Sequence, residues 1–201
     1  MPSWGATDAD ESKPKYLTDA EKKLVFANAS GWVLEAGSES SRFTGNDNAD
    51  ADPEILVAIG DLSTSIGAAD ITEVEMITTT ADKSEGFTIS VRVRYNEPVD
   101  VVTTGGTPTL AVTNDNSGTG SGRGPHSLSY ASGTGTNELI FSLAIAAANA
   151  ATNADDVLTV GAQSIALNSG TIKDASGTAS DASLVISSAQ GTAAGSVTVT
   201  A

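Results

Sequence analysis

At 201 residues the chain has room for one domain of ordinary size, or for one of about 100–150 residues beside a smaller one. It has no cysteine, 4% aromatic and 17% charged residues, and is rich in Ala, Thr, Ser and Gly, which excludes a disulfide scaffold and thiolate metal sites and points away from a helical bundle. The net charge of -15 is spread along the whole chain, so no basic patch exists to neutralise phosphates and nucleic-acid binding is set aside. No segment approaches the ~20 apolar residues that span a bilayer, and Met1-Pro2-Ser3-Trp4 lacks the basic start and apolar run of a signal peptide. The expectation is therefore synthesis in the cytosol, no membrane association, and arrival at any later destination by assembly.

Residues 1–16 read as an extended arm, because Pro2 and Pro14 each remove an amide donor and bias the preceding residue away from helix. Trp4 and Tyr16 are too few for a core, and large apolar side chains near a terminus are natural anchors on a partner. Thr18-Asp19-Ala20-Glu21 fits a capping box and predicts a helix to about Ala27, stopped by Asn28-Ala29-Ser30-Gly31. Trp32-Val33-Leu34 and Ile55 to Ile59 read as the strands of a hairpin. The acidic loop between them includes Asn46 to Asp52, but it lacks the glycine and distal glutamate of a calcium-binding EF-hand loop. Residues 61–70 read as a linker of small residues.

The most informative stretch is Phe87 to Tyr95. Phe87, Ile89, Val91, Val93 and Tyr95 alternate without a break with Thr88, Ser90, Arg92 and Arg94. Successive strand side chains point to opposite faces, so this is a β-strand with one apolar and one wet face, and a one-residue slip would bury both arginines. Arg92 and Arg94 are expected to pair with Glu73 or Glu75 on the preceding strand, Ile71 to Thr80. Pro98 is expected to stop the ladder. Short strands follow at Val99 to Thr103, Thr109 to Thr113, Ser127 to Ala131, Asn137 to Ile145, Val157 to Val160, Ile165 to Leu167, Leu184 to Ser187 and Ser196 to Thr200. Leu139, Phe141, Leu143 and Ile145 form a second alternating stripe, expected to face the Phe87–Tyr95 strand across the core. The fold class is mostly β, an antiparallel β-sandwich over 71–201 behind a small arm, helix and hairpin over 1–60.

Catalytic chemistry finds little support. His126 is the only histidine and stands beside a Gly/Ser/Asn-rich loop, where nothing in the sequence orients it as a base. Paired carboxylates can be drawn from 25 acids almost at will and carry no information, and the alternating glycines 118–124 read as a solvent loop. The reading is a non-enzyme. The best candidates for a cation site are the inter-strand acids Glu97, Asp155, Asp156 and Asp174, with Ca2+ as the ion, since calcium gathers hard oxygens from loops at one end of a domain. Ordinary turn chemistry of Asp is the bland alternative.

Two resemblances add to this. Val93-Arg94-Tyr95-Asn96-Glu97-Pro98-Val99, Gly106-Thr107-Pro108-Thr109-Leu110, Tyr130 to Phe141 and Ser169 to Gly177 stand in the order found in bacterial Ig-like repeats, so 71–187 resembles such a domain. The resemblance implies an Ig-like sandwich that serves as a spacer or binder. Met1-Pro2-Ser3-Trp4-Gly5, Lys13 to Lys22, Gly31 to Leu34 and Glu54 to Gly60 resemble the opening of virion structural proteins of T4-like phages of marine cyanobacteria. That implies a particle component, most simply a capsid decoration protein located on the virion. Trp4, Tyr16 and Trp32 would be its anchors on the major capsid protein, another virion protein or a second copy, and the displayed domain would have access to host-surface glycans. A tail, neck or fibre-associated component and a stand-alone calcium-dependent carbohydrate-binding module are the alternatives.

Overall fold

The structure, a computed structural model, describes residues 13–37, 48–116, 125–149, 151–176 and 179–201. Trp4, Asn46, Asp47 and the glycine run 118–124 lie outside the described residues.

The chain first builds a small unit with its own core. Helix α1 (Asp19–Lys22) starts at the expected capping box: Glu21 N donates to Thr18 Oγ1 at 3.3 Å and Thr18 N donates to Glu21 Oε2 at 2.7 Å. The helix stops there and does not reach Ala27. Val25–Asn28 is strand β1, paired antiparallel with β2 (Gly31–Leu34) across the two-residue turn Ala29-Ser30. Val and Phe favour a pleated surface, and the Asn28 side chain closes the turn by accepting from Ser30 N at 2.8 Å and Gly31 N at 3.2 Å. The residues that looked like a helix breaker are therefore a hairpin turn. β3 (Glu54–Ala58) pairs antiparallel with β2. It comes so close at Gly31, whose φ is +137°, that a Cβ there would lie 2.0 Å from the Val57 carbonyl oxygen. Helix α2 (Leu62–Ser65) follows, and Leu62 is buried with Leu17, Val25, Ala27, Trp32 and Leu34. The stretch read as a linker thus begins as part of this unit.

The remaining strands are β4 (Ile71–Met76), β5 (Ala81–Asp82), β6 (Phe87–Val102), β7 (Thr109–Asn116), β8 (His126–Ser132), β9 (Thr136–Ile145), β10 (Asp156–Thr159), β11 (Gln163–Ser164), β12 (Thr171–Asp174), β13 (Val185–Ile186) and β14 (Ser196–Thr200), with helix α3 (Ser188–Ala193) before the last. One sheet runs in the order β12-β6-β9-β8-β7-β10-β14-β5, with β4 on β6 and β11 paired separately with β13. Its pairings are antiparallel except for β14 with β5. The sheet curls into a β-sandwich-like fold. Met76 N donates to Ala194 O at 2.8 Å and Gln190 Nε2 to Ile71 O at 2.7 Å, which ties the β4 side to the C-terminal segment.

The apolar stripe behaves as its period demands: Ile89, Val91, Val93 and Tyr95 are buried with Leu110, Leu128, Phe141, Leu158 and Val199. β6 and β9, however, are neighbours in one sheet and do not face each other across the core. Val91 lies opposite Phe141 and Val93 opposite Leu139 in the ladder, so the two stripes merge sideways into one face. Nor does Pro98 end the strand. The β6–β9 register shifts between Arg94 and Val99, Pro98 falls in that irregularity, and Val99 to Val102 pair onward with β12. β6 therefore bends at Tyr95–Pro98, beside the small N-terminal unit.

Candidate functional site

Two polar clusters lie along this part of β6, one just before the bend and one at it. The first is built on the wet face of β6. The expected cross-strand pairs form, with Arg94 opposite Glu73 and Arg92 opposite Glu75 in register, and each guanidinium bonded to its glutamate. This face is nevertheless not open to solvent at Arg94, which is only 7% exposed. The N-terminal unit covers it: Glu35, just after β2, approaches Arg94 Nη2 at 3.4 Å, and Lys23 donates to Glu73 at 2.7 Å. Arg94 Nε also donates to Glu138 of β9. Burial, then the charge of Glu138, pushes the Glu35 carboxyl up to about 7, against the pull of Arg94. A cleft of about 840 Å³ opens beside this cluster between the two parts of the molecule, lined in part by Phe26, Glu35, Pro53, Arg92 and Glu138.

The second cluster lies at the bend itself. Asn96 and Glu97 are fully buried. Asn96 is held by a reciprocal pair with the Asp70 backbone, accepting from Asp70 N at 2.6 Å and donating its own N–H to Asp70 O at 3.0 Å. Asp174, at the end of β12, pairs across the ladder with Val99 and is buried as well. Ser176 joins the acids: its Oγ lies 2.7 Å from Asp174 Oδ1, 3.3 Å from Glu97 Oε2 and 2.9 Å from the carbonyl oxygen of Ser63 in α2. Glu97 Oε1 has no hydrogen-bond partner. Burial, then the negative charge of Asp174, pushes Glu97 up to about 8; Asp70 adds to the rise and Ser176 opposes it.

The four acids named as a cation set are therefore split. Glu97 and Asp174 converge, whereas Asp156 opens β10 and Asp155 stands in the turn just before it, with β9, β8 and β7 between β10 and β6 in the sheet order. Asp156 accepts from Asn153 N at 2.7 Å, and Asp155, with φ +68°, donates its N–H to Val199 O at 2.8 Å. These are turn roles. Among the described residues no three His, Asp or Glu side chains form a metal-holding group. The partners that complete the Glu97–Asp174 pair, Ser176 and the Ser63 carbonyl, were not foreseen. One signal was available, since the apolar alternation of β6 gives way to Asn96-Glu97 immediately before a proline.

Of the anchor residues, Tyr16 is 52% exposed, and Ile55 on β3, not singled out in the sequence, is 53% exposed. Trp32 is 1% exposed inside the N-terminal core, so the unit itself uses its apolar area and it is not free to bury against a partner. His126 is also corrected: it is held, not loose. It is 5% exposed, with Nε2 2.9 Å from the fully buried Thr152 Oγ1, and burial lowers its pKa while Asp156 raises it. This imidazole is packed into the fold rather than presented to a substrate.

In comparisons with protein-family models, curated proteins and solved structures, nothing matches this chain.

Proposed function

We propose that the chain is a structural protein of a phage particle, a capsid decoration protein held by its N-terminal unit and displaying the β-sandwich. The observation that carries this reading is the division of labour within the N-terminal unit. It keeps Trp32 for its own core yet leaves Tyr16 and Ile55 exposed, the kind of side chains that dominate interfaces. The resemblance of residues 1–60 to the opening of cyanophage virion proteins supports the same assignment, as does that of 71–187 to Ig-like display domains. Many identical copies would add avidity for host-surface glycans without any strong single site.

The test is a binding assay of the full chain on undecorated capsids, with purified tail assemblies in parallel. Saturable binding at hundreds of copies per capsid, weakened by Tyr16→Ala with Ile55→Ser and by Trp4→Ala, is the expected result. Binding to tails alone, at a few copies per particle, would move the protein to a tail, neck or fibre role. Binding to neither would discard the virion assignment.

A further inference from the structure

The bend of β6 gathers more oxygen acceptors than the protein supplies protons for. The Glu97 carboxylate, the Asp174 carboxylate and the Ser63 carbonyl oxygen all turn toward Ser176 Oγ, within 3.3 Å of it. A serine hydroxyl has one proton to donate, so it satisfies one of the three at a time. Ser176 N adds a bond to Asp174 Oδ1 at 2.6 Å, but nothing reaches Glu97 Oε1, although Glu97 is 0% exposed. Among the described residues no Lys, Arg or His forms an ion pair with either carboxylate, in contrast to the acids around Arg94. Two buried carboxylates without a counter-charge are costly, and buried polar groups are ordinarily paired.

We propose that this pocket binds a hard divalent cation, of which Ca2+ is the representative, through Glu97, Asp174, the Ser176 hydroxyl oxygen and the Ser63 carbonyl oxygen. The donor set is all oxygen, with no imidazole or thiolate among the described residues at the site, which suits calcium and not zinc. Two carboxylates balance a dication, and calcium completes a shell of six to eight with carbonyl, hydroxyl and water oxygens. Because Ser63 belongs to α2 and the other ligands to the sandwich, the ion would fasten the N-terminal unit to the sandwich. The inference stands on the geometry of the bend and is independent of the virion reading.

The experiment is isothermal titration of the metal-free full chain with Ca2+ and, separately, Mg2+, together with thermal melts in Ca2+ and in EDTA. One site per chain and a melting temperature that climbs with Ca2+ concentration are expected, by linkage to the folded state. Glu97→Gln and Asp174→Asn should abolish the site, and Ser176→Ala should weaken it about tenfold. Glu97→Gln also gives a signature that a merely structural acid would not. In EDTA it melts at or above the wild-type temperature, because one of two facing carboxylates is gone; in Ca2+ the order reverses. Should the variants fail to fold, the wild-type titration still decides. No heat and no melting shift with either ion would overturn the proposal and leave Glu97 as a protonated buried acid. Undiminished binding in folded Glu97→Gln and Asp174→Asn would overturn it too.

Discussion

Arg94 and Glu97 stand on the same strand, both buried, in surroundings of opposite kind. Around Arg94, the acids Glu35, Glu73 and Glu138 share a guanidinium, with Lys23 and Arg92 at the margins. Around Glu97 stand the charges of Asp174 and Asp70, and among the described residues no base pairs with Glu97 or Asp174. The first cluster carries its own counter-charges; the second has none among the described residues and calls for a proton or a cation. Both lie where the N-terminal unit meets the sandwich, so this contact is polar on two counts and its strength should respond to solution conditions. Apolar cores on either side hold each part together, and both polar clusters lie at the contact between the parts.

The sharpest way to break the contrast is to make the first cluster resemble the second. Arg94→Met keeps the bulk and removes the guanidinium, leaving three carboxylates crowded with little solvent. Removing one partner from a buried ionic network costs about 3 kcal/mol or more, so the urea midpoint should fall well below wild type. A loss of less than about 1 kcal/mol would mean that the network behaves as an exposed one and that the N-terminal unit does not shield it.

A smaller effect concerns pH. Glu35, raised from an ordinary value of 4.5 to about 7, holds a proton in the folded state that the unfolded chain has already released. The folded state thus binds more protons between those values. The stability that this proton contributes is fully present below the unfolded value and is lost as pH rises through about 7. Glu138, Arg94 and Asn137 face the group and set its titration. Glu35→Gln should flatten the decline in urea-unfolding stability between pH about 5 and about 8. An unchanged slope in the variant would reassign that decline to another group.

The smallest expected change is at the rim. Lys23 is half exposed and reaches Glu73 from the N-terminal unit, so Lys23→Ala should cost no more than about 1 kcal/mol in the same unfolding assay and should lose its effect in high salt. A larger, salt-insensitive loss would show that this pair is shielded as Arg94 is.

Much of this architecture was written in local patterns. The alternation from Phe87 to Tyr95 specified which side chains enter the core, because a strand has a period of two and only one register buries the apolar set. The same period put Arg92 and Arg94 on one face, where Glu73 or Glu75 could meet them, and the strand pairing assigned Glu75 to Arg92 and Glu73 to Arg94; the capping box set the start of α1 to the residue. What local pattern could not carry was adjacency and cover. Nothing in the two stripes says whether β6 and β9 lie side by side or face to face, since either arrangement removes the same area from water. The face that reads as wet at Arg94 is wet only until the N-terminal unit packs on it. Trp32 reads equally as an anchor or as a core residue until its neighbours are known. Glu97 and Asp174, far apart in the chain, meet through the pairing of β6 with β12, beside the register shift in which Glu97 and Pro98 lie. The sequence by itself determined strand faces and the start of a helix, which depend on interactions among near neighbours; the tertiary structure decided which strands pair, which faces were covered and which charges were left without a partner, because these depend on segments brought together only by folding.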